Sequence, residues 1–219
     1  MIIDLIVLIP IIAALAIGLG AEGRKTALVA AGVNLILGVI VISELMRRGG
    51  EELIFETAIV VLGNPKLTLG FAVDGMSGVL VLLTVIVTFC AVYNSPERGP
   101  DGKVKLYHIS PLLISAGALG AFCATDLFFL FAFHELALIP TFLMIGFYGH
   151  GRDRVAVAWK ITIYLGVGSL VLLGGLIALY SNLAEAGSAT FNIAELTAAA
   201  GKIGLDKEVQ KWIFLPLFL

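Results

Sequence analysis

Six long apolar stretches dominate the chain, at roughly 3–20, 26–46, 71–94, 107–125, 126–149 and 155–180. Each is close to the ~20 residues that a helix needs to cross a bilayer. The apolar positions run on continuously instead of alternating every second residue, which argues against membrane strands. In lipid every backbone polar group must be satisfied within the protein, and a helix does so inside its own segment. The pattern therefore predicts an all-α integral membrane bundle with six transmembrane helices. A seventh apolar run opens at Trp212 and reaches only Leu219, too short to cross, and reads as the truncated start of another helix. The first run contains Asp4 and no basic flank, so it reads as a retained span rather than a cleaved signal.

The segments between the runs divide the chain into residues 1–106, with three spans, and 107–219, with three more and the start of the seventh. Within 49–70, Leu53–Leu62 and Lys66–Phe71 flank Gly63-Asn64-Pro65, a cluster of turn formers, and predict a short external hairpin. In the polar stretch 181–210, Asn192 with Glu195 three residues on predicts a capped surface helix. Short loops on one side carry Arg24, Lys25, Arg98, Lys103, Lys105, Arg152 and Arg154. Arg47, Arg48, Lys66, Lys202, Lys207 and Lys211 lie in longer, acid-rich segments on the other side, shared with the N-terminus. We call the N-terminal face side A and the opposite face side B. The positive-inside rule weights short loops, so it makes B cytoplasmic and the N-terminus external.

Composition agrees with the pattern: 59% of residues are hydrophobic and 14% charged, against about 25% charged in soluble domains, and the mean hydropathy is +1.04. A net charge of -2 gives no footprint for nucleic acid. Cys90 and Cys123, both inside spans, read as small packing residues. His108, His134 and His150 lack metal-ligand spacing, and no redox cofactor motif is visible.

Against this background the polar residues inside the runs stand out. Glu135 lies near the middle of the fifth run, where an ionisable group is costly and usually faces a protein interior or a water-filled cavity. That makes it the candidate proton-pathway group; the alternative is a neutral acid serving as an interhelical hydrogen-bond donor. Pro140 follows five residues later and deprives the Leu136 carbonyl of its helical partner. Lys160 and His134 are further pathway candidates. Lys160 lies about 13 Å from the level of Glu135 and either snorkels to side B or lines a half-channel there. His134 projects about 100° around the helix from Glu135. Asp74 and Asp126 read as helix N-caps, and Asn34 as a bond across helices. Ala116, Gly120 and Ala124, and Gly166, Gly168, Gly174 and Gly175, read as small-residue surfaces for close helix approach.

The run Thr125-Asp126-Leu127-Phe128-Phe129-Leu130-Phe131, followed by His134-Glu135-Leu136-Ala137-Leu138-Ile139-Pro140, resembles the fifth-helix signature of antiporter-like subunits, specifically the M-type (chain 4) subunit of proton-pumping NADH:quinone oxidoreductase, respiratory complex I. Val73-Asp74-Gly75-Met76-Ser77 and Trp159-Lys160-Ile161-Thr162-Ile163-Tyr164 resemble the starts of that family's third and sixth helices. The Leu-Ile-Pro continuation sets the M-type apart from L- and N-type relatives and from Mrp antiporter subunits. His134 departs from the pattern, which has an aromatic residue there. The resemblance implies a 14-helix fold with two inverted five-helix repeats. In that fold the fifth-helix glutamate, here Glu135, pairs with a lysine on a broken seventh helix beyond this chain. It also implies about the N-terminal two-fifths of such a subunit, either part of a longer chain or a split subunit completed by another. The implied setting is a bacterial inner membrane, multi-pass among the other membrane-arm subunits and lipid. No cofactor and no redox step are expected on this chain. An Mrp-type antiporter, a membrane-bound hydrogenase and a purely structural membrane subunit are the rival expectations.

Overall fold

The computed structural model describes residues 1–49, 53–63, 66–95, 104–185, 190–203, 210–212 and 214–215. Its helices are α1 (Ile2–Leu19), α2 (Gly23–Arg47), α3 (Gly75–Tyr93), α4 (Val104–Cys123), α5 (Leu127–Tyr148), α6 (Arg154–Glu185) and α7 (Ile193–Ile203), with strands β1 (Ile54–Leu62) and β2 (Leu67–Val73) between α2 and α3. The first six helices are long and apolar enough to cross a membrane. α7 is the surface helix expected from Asn192 and Glu195, and the Asn192 side chain accepts from the Ala194 and Glu195 N–H groups at 3.1 Å each.

α4 is the centre of the bundle, with α1, α2, α3 and α5 all packed against it. The main core joins Ile3, Ile6 and Val7 of α1, Val41 and Leu45 of α2, Val81 and Val85 of α3, and Leu119 and Cys123 of α4. A second, alanine-rich cluster on the side-B half of the bundle holds Ala13, Ala14 and Ile17 against Ala27, Ala30 and Ala31. Asn34 crosses helices as expected, and the reason is local. Pro10 has no N–H, so the Ile6 carbonyl four residues earlier lacks a helical donor; the Asn34 side-chain amide donates to it at 2.9 Å.

The hairpin forms an antiparallel pair, with Thr57 opposite Phe71 and Ile59 opposite Leu69. An irregularity between Ile54 and Thr57 coincides with Phe55 at φ 59°. Thr57 donates to Asp4 at 2.8 Å, tying the hairpin to α1. Asp74 then caps α3 in a reciprocal box with Ser77: the Asp74 side chain accepts from the Ser77 N–H at 2.7 Å, and the Ser77 hydroxyl accepts from the Asp74 N–H at 2.8 Å. The donated Ser77 N–H holds the Asp74 carboxyl below its ordinary range.

Several expectations are corrected. The third span begins at Gly75 and not at residue 71, because Phe71, Ala72 and Val73 complete β2. Their apolar character merges with that of the helix and hides the boundary. The sixth helix runs on to Glu185, so the start of the 181–210 stretch is helical. Cβ atoms added at Gly166, Gly168 and Gly174 would meet nothing within 4 Å, so these glycines bring no described helix close. Cys90 is exposed on α3, whereas Cys123 packs in the core. Residues 210–212 and 214–215 are helical at the start of the seventh run. Asn64, Pro65, Arg98, Lys103, Lys207 and the end of the seventh run at Leu219 lie outside the described residues.

Candidate functional site

Glu135 rides on α5, and the entry of α5 is fixed on side A by Asp126. The Asp126 carboxylate is fully buried. It caps its own helix by accepting from the Phe128 N–H at 2.9 Å, the role expected of it. It also accepts from the Thr68 N–H of β2 at 3.2 Å, a role the sequence did not reveal. Burial pushes its carboxyl up from the ordinary range, and backbone N–H groups of Thr68, Phe128 and Phe129 oppose that shift. Around it, the Leu127 N–H donates to the Phe191 carbonyl and the Ile193 N–H to the Thr125 carbonyl, both at 2.9 Å. Lys66 pairs with Glu195 at 2.6 Å. That ammonium, with the Thr190 side chain, holds the Glu195 carboxyl below its ordinary range. The side-A hairpin, α5 and α7 are thus stitched together at one point.

From Asp126 to Glu135 is nine residues, or about 13 Å along the helix. One face of α5 here is locked onto α4. An added Cβ at Gly117 would lie 2.7 Å from the Phe133 carbonyl oxygen, and one at Gly120 would collide with the Phe133 ring. The Phe133 ring also lies 5.6 Å from that of Phe71. The opposite face meets α6, with the Phe142 ring 5.0 Å from Trp159 and Gly146 against the Ala158 methyl. Phe142 and Gly146 are seven and eleven residues after Glu135, close to two and three whole turns. Glu135 therefore lies on the α6-facing stripe, and Phe133 lies on the other side of the helix.

The Glu135 Oε1 atom is shielded from solvent and has no hydrogen-bond partner. His134 Nδ1 stands 3.4 Å from it, an ion pair whenever the imidazole is protonated. The structure therefore brings His134 and Glu135 together although their Cα–Cβ directions diverge. Lys160 is exposed on α6. It lies two residues from Ala158, about 200° around the helix from the face that meets α5, and is not gathered with Glu135. His108, which lacks metal-ligand spacing to the other histidines, is fully buried on α4, with Nδ1 3.3 Å from the Ser95 hydroxyl; its sequence neighbourhood gave no signal of that partner. No cluster of three or more metal-ligating side chains occurs among the described residues.

Residues 124–219 match the family described as NADH:quinone oxidoreductase/Mrp antiporter, TM. A protein named NADH-quinone oxidoreductase subunit M from Pseudomonas aeruginosa is 29% identical over 182 residues, covering 78% of this chain and 34% of that protein. In respiratory complex I from Thermus thermophilus with bound NADH, one chain superposes at TM-score 0.83 with 25% identity, covering 99% of this chain and 42% of that one. An archaeal membrane-bound sulfane sulfur reductase shares the fold at TM-score 0.76 and 18% identity, over 98% of this chain and 43% of that one. Fold and matches together define a multi-pass, antiporter-like membrane subunit. The chain belongs to the membrane-subunit family shared by NADH:quinone oxidoreductase and Mrp antiporters. The curated relatives it resembles are M or chain 4 subunits, and the chain spans about a third of their length or less.

Proposed function

We propose that this chain is part of a proton-translocating membrane subunit of an NADH:quinone oxidoreductase, with Glu135 as a proton-carrying group on its pathway. The observation that carries the reading is a carboxylate at mid-span, on the α6-facing stripe of α5, with one oxygen shielded and without a hydrogen-bond partner. Such a group costs several kcal/mol unless it is used or paired. His134, 3.4 Å away, is the adjacent titratable group, and Lys160 serves the side-B approach. Redox chemistry belongs to other subunits of the complex, and quinone reduction elsewhere drives this chain through charge and water. Its partners are the other membrane-arm subunits and the lipid of a bacterial inner membrane, with the N-terminus external and side B in the cytoplasm.

The test is Glu135→Gln in the assembled complex. It keeps the shape and removes the titration. Proton pumping in sealed vesicles should fall by roughly tenfold or more, as expected for loss of an acid–base group, with subunit assembly unchanged on native gels. Full pumping by the assembled variant would sink the proposal. A second reading, a subunit of an Mrp-type antiporter or of a hydrogenase-like membrane complex, is favoured by the shared family and by the likeness in fold to the sulfane sulfur reductase. Co-purification separates the two: iron–sulfur and NADH-binding subunits support the first, and a set of small Mrp subunits the second.

A further inference from the structure

Ser169, on α6, is one of the few polar side chains buried in the spans, at 5% exposure. Among the described residues α6 packs on α5, and α7 meets α6 at its far end, where Leu183 and Leu179 lie with Leu196. A residue buried at the middle of α6 is therefore buried against α5. The antiparallel register of the two helices is pinned at both ends. Toward side B, Ala158 meets Gly146. Toward side A, Leu173, Leu176 and Ile177 share an apolar cavity of about 250 Å³ with Phe128 and Phe131. Moving eleven residues from Ala158 reaches Ser169, and moving eleven back from Gly146 reaches Glu135. Continuing seven more on each helix reaches Leu176 and Phe128, which line that cavity together. Eleven residues is close to three whole turns, so Ser169 keeps the α5-facing direction of Ala158, just as Glu135 keeps the α6-facing direction of Gly146.

The geometry points to Ser169 as the positioning residue for Glu135: the register of the two helices puts both residues at the same depth of the α5–α6 seam. This inference rests on the reading of Glu135 as a proton carrier. The Ser169 hydroxyl donates to the Gly166 carbonyl at 3.0 Å. In this structure the Glu135 Oε1 atom is without a hydrogen-bond partner; on protonation of Glu135 the Ser169 hydroxyl oxygen, its own hydrogen given to Gly166, is the acceptor for the acid's proton. Rotation about the C–O bond turns the hydrogen toward an ionised Glu135, because a hydroxyl is both donor and acceptor. One small side chain thus serves both protonation states of the acid without a fixed charge. Serine is also small enough to leave the shielded Oε1 atom room within the seam. Lys160 cannot take this role, since it sits nine residues from Ser169, about 13 Å along α6.

The test uses the assembled, membrane-embedded complex with Ser169→Ala, Ser169→Thr and Glu135→Gln. Infrared difference spectra identify the Glu135 carboxyl band as the one lost in Glu135→Gln. In Ser169→Ala that band should move, and in Ser169→Thr, which keeps a hydroxyl, it should return to its wild-type position. Pumping in Ser169→Ala should fall by about three- to tenfold, the scale of one lost hydrogen bond, and recover in Ser169→Thr. A band unmoved by Ser169→Ala overturns the inference even where Glu135→Gln stops pumping. A Glu135→Gln variant that pumps normally overturns the proton-carrier reading, while the band position still decides whether the two side chains are bonded.

Discussion

The two halves of the bundle are built to different standards of closure. Half of the α4 span is buried, against 6% of α5 and 17% of α6. Around α4, glycines bring backbones together, Asn34 mends a proline's missing bond, and two apolar clusters fill the gaps between helices. Along α6, Gly166, Gly168 and Gly174 look onto open space and large side chains such as Tyr164 and Leu170 stand exposed. The titratable pair His134 and Glu135 sits in the second half. The contrast separates a scaffold closed by small residues and apolar clusters around α4 from a working seam where α6 is held along one face.

The sharpest way to break that contrast is to put a side chain where the scaffold has none. Gly117→Val would drive its Cβ to 2.7 Å from the Phe133 carbonyl oxygen and 3.0 Å from the Ala137 nitrogen, both backbone atoms that cannot step aside. It should cost about 3 kcal/mol by overpacking, read as a lowered unfolding temperature in detergent. Gly168→Ala on α6 meets nothing within 4 Å and should leave the isolated chain within about 1 kcal/mol of wild type. Equal losses at the two sites would erase the distinction.

Asp126 tests the stitch between the halves. Asp126→Ala leaves the N–H groups of Thr68 and Phe128 without their acceptor and should cost about 1–3 kcal/mol. Limited proteolysis should then cut the hairpin at 54–73 faster, and Asp126→Asn, which keeps an acceptor oxygen, should protect it more than alanine does. Hairpin cleavage at the wild-type rate in Asp126→Ala would show that the bond does not hold it.

Asn34→Leu should cost about 1 kcal/mol, in the range of interhelical hydrogen bonds in membranes. Adding Pro10→Ala returns an N–H to the Ile6 carbonyl, so the double variant should recover much of the loss in the same thermal melt. No recovery would separate Asn34 from the proline.

The smallest effect lies at the surface. Because the Glu195 carboxyl is held low by Lys66, the pair's contribution is present above the ordinary carboxylate range and is lost as pH falls through the lowered value. Both side chains are about half exposed, so the contribution is under about 1 kcal/mol. Hydrogen exchange of α7 amides should rise slightly in acid, and Glu195→Gln should remove that pH dependence.

Much of this was legible beforehand. Six continuous apolar runs specify six helices because lipid leaves the backbone no other choice. Gly63 and its neighbours gave the hairpin, and Asp74 and Asn192 declared their caps through side chains that bond only a few residues away. What escaped detection was mostly non-local. The bond from Asp126 to Thr68 spans 58 positions, and the contact between His108 and Ser95 spans 13. Gly166, Gly168 and Gly174 of α6 meet no described helix, since a small-residue stripe shows that a helix could approach without showing which one does. Ser169 was invisible because serine is common in membrane helices, and only the register of two antiparallel helices puts it at the depth of the acid.

The bonded stitch at Asp126 also gives the water-exposed hairpin a mechanical grip on the membrane interior. Nine residues of helix separate that carboxylate from Glu135, and a helix transmits an axial push with little compression. A hand laid on the exposed strand β1 from side A, whether a binding protein, an antibody fragment or a crosslink, acts through its paired strand β2 on the height of the acid in the bilayer.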